Sequence, residues 1–434
     1  MLDGPTFPEG WPRRPIYELA RWTNGLAFRD FQFSDSGWPV IKIAELKEGV
    51  TGQTKLTRQT FDERYHVKNG DMLFSWSGNP ETSLDVFWWR RGDGWLNQHI
   101  FKVEPSDVDS GFFYYLLRYL RPTFAEIAAN KQTTGLGHVT AADLKALPVG
   151  VPPLRTQRAI AHVLGSLDDK IELNRRMNQT LEEICRALFK FWFVDFGPVR
   201  AKAERRWKKG ESLPGMPADM WDLWPSEFED SEIGEIPKGW KVSRLSETCS
   251  TQYGYTASAT ELPLGPHLLR VTDINKAPWI DWASVPYCAI PPEDFQRYAL
   301  AEGDILVARM ADPGKSAIVE GRIEAVFASY LVRLKVASLA RAYYIFYFLR
   351  SDSYLEYVAG ARSGSVQANM NARVIVDVPC LSPPPEILGL FLAQVLPLRR
   401  RINIGLTETS TLAKTRDTLL PKLLSGEIRV RVDS

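Results

Sequence analysis

The longest regular pattern of apolar positions in this chain is a seven-residue repeat that occurs twice. One stretch follows Pro152-Pro153 and the other follows Pro383-Pro384-Pro385, where a helix can begin but cannot continue from upstream. Apolar layers flank a polar middle in both stretches, so we expect two long helices that pack on each other, with the polar layers fixing their register. The alternative is that each helix packs on its own globular domain. The residues predicted to form the core of the helix pair are Leu164, Leu167, Ile171, Leu181, Leu188, Val395, Leu398, Ile402, Leu412 and Leu419.

The regions before these helices contain short runs of β-branched and aromatic residues separated by Gly and Asp turns. Examples are DVFWWRR from Asp85 and WLNQHIFKV from Trp95, which predict strands. One amphipathic helix is expected around Tyr114 to Ile127. The mixture predicts an α/β (α+β) fold in each region.

Several sequence segments of the first half of the chain recur in the second half. GDMLFSWSGNP from Gly70 returns as GDILVARMADP from Gly303, and YYLLRYLR from Tyr114 returns as YYIFYFLR from Tyr343. VIKIAEL likewise matches LLRVTDI, and all these pairs are 228 to 233 residues apart. Landmarks in the same order with so small a drift predict a duplicated unit with loop-sized insertions.

The segment 197–237 lies between the two copies and contains RRWKKGESLPGMP with further Trp and acidic residues. This composition is typical of an exposed connector with some aromatic anchoring. The basic RRWKK from Arg205 is more often a solvated patch, although it could also lie along phosphates.

Composition restricts the class of protein. The 434 residues suggest two or three domains, and 53 Lys and Arg against 52 Asp and Glu leave a net charge of +1, so any nucleic-acid site must be a local patch. The four cysteines are far apart, which argues against a CxxC metal or redox pair and a disulfide scaffold. No signal peptide or membrane span is expected, and a reduced cytoplasm fits best.

Each catalytic motif considered lacks at least one residue that it requires. ADPGKS from Ala311 has Arg309 where a phosphate-binding loop requires glycine, so we interpret it as a turn at a strand end. GLGHVT from Gly135 lacks the acidic partner of a dinucleotide fold, and no [DN]PP[YF] tetrapeptide of an adenine-N6 methyltransferase occurs. The five histidines form no HxxxH or HxH pair. We therefore expect no catalytic residue and no metal site, although an enzyme with an unrecognised active site stays an alternative.

Several segments carry a family resemblance: GDMLFSWSGNP, LNQHIFKVEP, TTGLGHVTAADL, LDDKIELNRRMN, DSEIGEIPKGWKV, RVTDI, GDILVARMADPGKSAIV and TLLPKLLSGEI. Together they resemble the specificity subunit of type I restriction-modification systems, and the likeness covers nearly the whole chain. The helix containing LDDKIELNRRMN is the most specific piece, because it follows a PPL boundary and is echoed in the second copy.

The resemblance implies two tandem target-recognition domains separated by two long helices that form an antiparallel coiled coil, with a pseudo-two-fold internal repeat. Each domain would read one half of a bipartite asymmetric site on double-stranded DNA. The helices would set the spacer and hold two methyltransferase subunits, which restriction subunits join. S-adenosylmethionine, ATP and Mg are expected on those partner subunits, with no cofactor in this chain. The implied division is 1–150 first recognition domain, 151–196 central helix, 197–237 linker, 238–381 second recognition domain and 382–434 C-terminal helix.

Base reading requires polar, basic and aromatic side chains on loops. Two copies related by an approximate two-fold axis can face successive grooves roughly 34 Å apart. Any one candidate could instead be a solvated charge, and Trp76 and Arg309 could be packing anchors. A coiled-coil interaction scaffold that binds no DNA is the alternative function. The candidates are Lys55, Arg58, Arg64, Trp76, Asn79, Lys131, Thr133, Thr134 and His138 in the first copy, and Tyr253, Tyr255, Arg270, Arg297, Arg309, Lys315, Arg362, Ser363 and Gln367 in the second.

Overall fold

The computed structural model of the chain describes residues 5–131, 136–363 and 370–431, and it describes residues 362 and 363 by their backbone alone. The chain divides into two compact units, Met1–Ile171 with Thr411–Ser434, and Glu172–Ser410. Each unit contains one globular region and part of both long helices. The fold is mixed α/β, and the predicted boundaries at 150, 196, 237 and 381 stay a prediction.

Strands and helices are named in chain order. The strands up to the first long helix are β1 Arg13–Pro15, β2 Ala20–Asn24, β3 Trp38–Ile41, β4 Leu56–Thr57, β5 His66–Val67, β6 Met72–Ser75, β7 Ser77–Gly78, β8 Asp85–Trp88, β9 Gly94–Leu96, β10 Ile100–Pro105, β11 Gly137–His138 and β12 Pro148–Gly150. The helices of this part are α1 Ile43–Glu48, α2 Ser110–Tyr119, α3 Arg121–Ala129, α4 Ala141–Ala146 and the long α5 Leu154–Phe193.

The second part continues with α6 Gly197–Ala203, β13 Phe228–Ser231, β14 Gly234–Pro237, β15 Lys241–Arg244, β16 Cys249–Tyr253, β17 His267–Leu269, α7 Val271–Ile274, α8 Pro292–Tyr298, β18 Ile305–Ala308, β19 Ser316–Ile318, β20 Ala325–Phe327 and β21 Leu331–Val336. It ends with α9 Leu339–Phe348, α10 Asp352–Ser363, α11 Ala372–Val376, β22 Pro379–Ser382 and the long α12 Pro385–Leu424. Short 3-10 helices occupy Ile16–Leu19, Asp30–Gln32, Glu63–Tyr65, Ala218–Leu223 and Leu245–Glu247.

An antiparallel sheet in the order β2-β10-β6-β8 organises the first unit. Every side chain of β6 is buried, because alternate residues enter different cores. Phe74 packs in the cluster that contains Phe113 of α2, whereas Leu73 packs with Trp89 on the other face. The sheet is therefore covered on both sides.

The second unit contains the same arrangement in the order β16-β21-β18-β19, again antiparallel. Its strand β18 is also fully buried, with Val307 in one cluster and Leu306 in another. The parallel pair β17-β20 corresponds to β3-β9, and the pair β15-β22 corresponds to β1-β12. The predicted turn at ADPGKS joins β18 to β19, as expected.

The single amphipathic helix predicted over 114–127 is wrong. The structure has two helices there, α2 and α3, which meet at Leu120. Pro122 lies at the second position of α3, where its missing N–H is harmless, but its ring prevents α2 from continuing through it. The periodicity of apolar residues continues across the break, since Leu116 and Phe124 are both buried in the same cluster.

The predicted starts of the long helices are confirmed. Helix α5 begins at Leu154, directly after Pro152-Pro153, helix α12 begins at Pro385, the last proline of its segment, and each has 40 residues. At 1.5 Å per residue, each is roughly 60 Å long.

Within the second unit the two long helices contact each other in the antiparallel sense. Asn178 lies against Gly405, and the ring of Phe189 lies 6.1 Å from that of Phe391, so the partner number falls as the number along α5 rises. Phe189 also lies 5.7 Å from Tyr344 of α9. The helices therefore pack on each other and on the globular region, and the two predicted alternatives occur together in this unit.

The aromatic anchoring predicted for the segment 197–237 is confirmed by the burial of two of its tryptophans. Trp207 and Trp224 are buried in the same cluster as Trp192 of α5 and Trp240, and the rings of Trp192 and Trp224 lie 5.3 Å apart. Burial of large aromatic side chains outweighs the hydrophilic composition around them. RRWKK is therefore anchored at its central Trp207.

Candidate nucleic-acid interface

Three side chains meet at one edge of the first unit's sheet. Strand β2 ends at Asn24, Trp76 follows β6, and His99 precedes β10, so antiparallel pairing brings all three to the same edge. The indole Nε1 of Trp76 donates to Oδ1 of Asn24 at 2.9 Å, and its backbone N–H donates to the carbonyl of His99 at 3.3 Å. Asn24 and His99 are exposed and Trp76 is half-buried. We call these three residues the first edge cluster.

The second unit has a cluster at the matching edge. Tyr253 ends β16, Arg309 follows β18 and Tyr330 precedes β21. The guanidinium carbon of Arg309 lies 5.0 Å from the ring centroid of Tyr253, and the backbone N–H of Arg309 donates to the carbonyl of Tyr330 at 3.1 Å. Tyr253 is 43% exposed and Tyr330 is 56% exposed. These residues form the second edge cluster.

The two edge clusters occupy equivalent positions with different chemistry. Each member of the second follows its counterpart by 229 to 233 residues, which is close to the shift seen in the sequence. The backbone contacts also match, because Val139 donates to the carbonyl of Trp76 at 2.9 Å and Met370 donates to the carbonyl of Arg309 at 2.9 Å. Sequence reasoning selected Trp76, Tyr253 and Arg309 but missed their neighbours at these edges. Extending the repeat to strand ends would have found Asn24, His99 and Tyr330.

Three of the candidates in the first unit lie apart from the contacts of the first edge cluster, Lys55 and Arg58 on loops and Arg64 in the 3-10 helix Glu63–Tyr65. Lys55 is exposed, and its carbonyl accepts from the backbone of the β3 strand. The guanidinium of Arg58 donates to the hydroxyl of Ser36, and that of Arg64 lies 3.6 Å from the carboxylate of Asp62. These two arginines have partners within the protein.

The other described candidates of the first unit take part in local contacts. Oδ1 of Asn79 accepts from the backbone N–H of Thr82 at 3.2 Å, which organises its loop. Lys131 forms an ion pair with Asp143. His138 pairs with Ser77 through β11 and β7, which places it beside the first edge cluster.

In the second unit, further candidates form an aromatic group. The rings of Tyr255 and Tyr298 lie 5.3 Å apart, and the guanidinium carbon of Arg297 lies 5.3 Å from the Tyr298 centroid. Arg270, in contrast, forms two hydrogen bonds of 3.0 and 2.9 Å with Asp273. Its guanidinium is therefore occupied within the protein.

The structure describes most of the remaining candidates only in part or not at all. Lys315 is exposed in the turn between β18 and β19. Arg362 and Ser363 end α10 and are described by their backbone alone. Thr133, Thr134 and Gln367 lie outside the described residues.

The residues predicted for the helix-pair core are all at least partly buried. Leu164, Ile171, Val395 and Ile402 are buried, and Leu167, Leu181, Leu188, Leu398, Leu412 and Leu419 are half-buried. The polar middle is also buried, with Asn174 and Asn178 at 0% and 1% exposure.

A buried ion network joins the globular region of the second unit to both long helices. Arg399 of α12 is fully buried and donates to Glu182 of α5 at 2.7 Å and to both carboxylate oxygens of Glu320 at 2.9 and 2.7 Å. Tyr347 donates to Glu182 and Tyr343 donates to Glu320. Burial raises the pKa of Glu182, whose Oε1 has no partner in the described structure.

The first unit has a network of opposite polarity at the equivalent position. Asp168 of α5 accepts from the hydroxyl of Tyr115 at 2.7 Å and forms ion pairs with Arg416 of α12 and Arg118 of α2. Asp168 precedes Arg399 by the same shift that separates Ile171 from Ile402. Asp168 in the first unit thus occupies the position that Arg399 occupies in the second unit, so the charge at this position is reversed.

The described residues offer little chemistry of other kinds. Within residues 5–131, 136–363 and 370–431, no group of three His, Cys, Asp or Glu side chains could hold a metal ion. Burial raises the pKa of Cys185 to about 11 and that of Cys380 to about 12, so both thiols are protonated at neutral pH. In the same part of the chain, no helix combines the length and the apolar character that crossing a bilayer requires.

Comparison with known proteins finds relatives over most of the chain. Residues 8–183 match the family model described as the type I restriction modification DNA specificity domain. The chain is 26% identical over 417 residues to the type I restriction enzyme HindI specificity subunit of Haemophilus influenzae, with 83% of this chain and 87% of that protein covered. It is 27% identical over 350 residues to the type I restriction enzyme MjaIX specificity subunit of Methanocaldococcus jannaschii, with 77% and 73% covered.

A solved structure shares the fold. The type I restriction-modification system S subunit from M. genitalium superimposes with a TM-score of 0.52, at 15% sequence identity and with 98% of each chain covered.

Proposed function

We propose that this chain is the sequence-specific DNA-recognition subunit of a type I restriction-modification complex, because it is similar to specificity subunits of such systems over most of its length. The observation that carries the proposal is the pair of edge clusters. They lie at equivalent strand ends of two sheets with the same strand order, yet differ in every side chain. Duplicated scaffolds with different exposed side chains are what reading two different half-sites requires.

The two globular regions are then two target-recognition domains of one internal repeat, and the DNA target is bipartite and asymmetric. A rigid sheet presents each edge cluster, which limits the entropy lost when a base is contacted. The antiparallel contacts of α5 and α12 support a coiled coil that sets the spacer between the half-sites.

The same helices are proposed to dock two methyltransferase subunits, which restriction subunits join. In the second unit Leu173, Ile184 and Ile404 of these helices are 58%, 43% and 52% exposed. Apolar side chains at those positions support a protein partner on the outer faces of the helices.

Catalysis belongs to the partners in this proposal. S-adenosylmethionine, ATP and Mg would bind the methyltransferase and restriction subunits, and this chain would act without a cofactor in the cytoplasm.

The test is to co-express the chain with a cognate methyltransferase subunit and to map N6-methyladenine across the host genome. A split motif with a fixed spacer that disappears when this chain is deleted is expected. Exchange of Gly10 to Leu147 for the equivalent domain of a relative should change one half-site only. A motif that survives the deletion would favour the interaction scaffold, whose binding would also lack the linear fall of log affinity with log salt.

A further inference from the structure

Arg309 is held in place at both its backbone and its side chain. Its N–H donates to the carbonyl of Tyr330, and its carbonyl accepts from Met370. Its guanidinium lies over the ring of Tyr253, whose hydroxyl accepts from the backbone N–H of Ala372 at 2.9 Å. Both members of the stack are therefore fixed before any ligand arrives.

The guanidinium of Arg309 nevertheless forms no ion pair or side-chain hydrogen bond within the described residues, and its buried Nε has no partner there. Arg333 and Arg399, the fully buried arginines of this unit, are both paired with carboxylates. Arg270 is paired as well. A half-buried arginine without an acceptor needs explanation, because arginine side chains that lose water are usually compensated by hydrogen bonds.

We propose that Arg309 reads a guanine in the half-site recognised by the second unit, an inference that rests on the proposed function and deepens it. The terminal NH₂ groups of a guanidinium match the paired acceptors O6 and N7 that guanine presents in the major groove, and no other base presents two acceptors there on one edge. Tyr253 keeps the guanidinium plane oriented, which reduces the entropy lost on contact.

The equivalent position in the first edge cluster does not offer this pair of donors. The residue there, Trp76, carries a single indole donor, and that donor is already bonded to Asn24. The guanine contact of the edge cluster thus belongs to one half-site, which adds to the asymmetry of the target.

The experiment uses the complete chain with its methyltransferase subunits and a panel of duplexes that carry every single-base substitution of the mapped motif. Methylation rates and binding are measured for the wild type, Arg309→Met, Arg309→Lys and Arg322→Met. Arg322 is exposed in the same unit and serves as the charge-matched control. Thermal melting checks that each variant is folded.

Arg309→Met should lose roughly 5- to 150-fold discrimination at one G·C position of one half-site, with the other positions unchanged. Arg309→Lys keeps the charge but loses the pair of terminal NH₂ donors. It should therefore lose most of the same discrimination while keeping the salt dependence of binding. Arg322→Met should change discrimination at no position.

Two results would overturn the proposal while leaving the proposed function intact. Uniform weakening across all duplexes with a smaller salt slope would assign Arg309 to a phosphate. Unchanged discrimination in a chain that still methylates its split motif would remove Arg309 from the interface. A wild-type chain that directs no split motif would overturn both the guanine contact and the proposed function.

Discussion

Replacing Arg399 with methionine tests the buried ion network most directly. Methionine fills a similar volume without charge, and the change leaves Glu182 and Glu320 buried, with side-chain exposures of 6% and 8%, and without the guanidinium that pairs them. Breaking a buried pair by removing one partner costs about 3–5 kcal/mol. For a unit of this size each 1 kcal/mol lowers the melting temperature by about 2–4 °C, so the second unit should melt roughly 6–20 °C lower.

The assay is differential scanning calorimetry of the complete chain, with the triple variant Glu182→Gln, Arg399→Met and Glu320→Gln as the comparison. Removal of all three charges should recover much of the loss, since the penalty comes from unpaired carboxylates. A triple variant that melts as low as Arg399→Met would refute the reasoning. Glu182→Gln alone should cost less than Glu320→Gln, because Glu320 accepts two bonds from Arg399 and Glu182 accepts one.

The pH dependence follows from the same groups. Burial already raises the pKa of Glu182, and Arg399→Met removes a positive charge that lowers that pKa. The folded state then binds more protons than the unfolded state, so stability falls as pH rises above the unfolded value of about 4.3. The deficit of Arg399→Met should therefore be smaller at pH 4 than at pH 7.5. An equal deficit at both values would contradict this assignment.

Two further changes test packing. Gly405→Ala would place Cβ 2.5 Å from Oδ1 of Asn178 and should lower the free energy of unfolding in urea by about 1–3 kcal/mol. In the same helix, the added Cβ of Gly389→Ala meets no atom within 4 Å, so this control should stabilise the protein by about 0.5–1 kcal/mol. Equal effects of the two substitutions would disprove the close approach of the helices at Gly405. Trp207→Ala should lower the free energy of unfolding by about 3–5 kcal/mol because the indole is 1% exposed. Leu223 is 41% exposed in the same segment, so Leu223→Ala should cost little. A small loss for Trp207→Ala would show that Trp207 does not anchor the segment 197–237.

Only part of the candidate site could be predicted from the sequence. Trp76 and Arg309 were selected as aromatic and basic residues at equivalent places of the repeated turn, and the structure places both, half-buried, directly after strands β6 and β18. Asn24 and Tyr330 were missed, since nothing in the neighbouring sequence distinguishes them from other polar residues near strand ends. Arg270 was selected for its charge, but the structure pairs it with Asp273.

What the sequence by itself determined is periodic or local: the starts of α5 and α12, the repeated Gly-Asp turn and the polar middle of the helices. Heptads and proline stops act over a few residues, so they can be recognised without tertiary contacts. Only the tertiary structure decided which charges meet, because Arg399 binds Glu320 and Glu182 at separations of 79 and 217 residues. The break at Pro122 and the burial of Trp207 were likewise decided by packing, since burial of apolar surface is a property of the folded core and not of neighbouring residues in the chain.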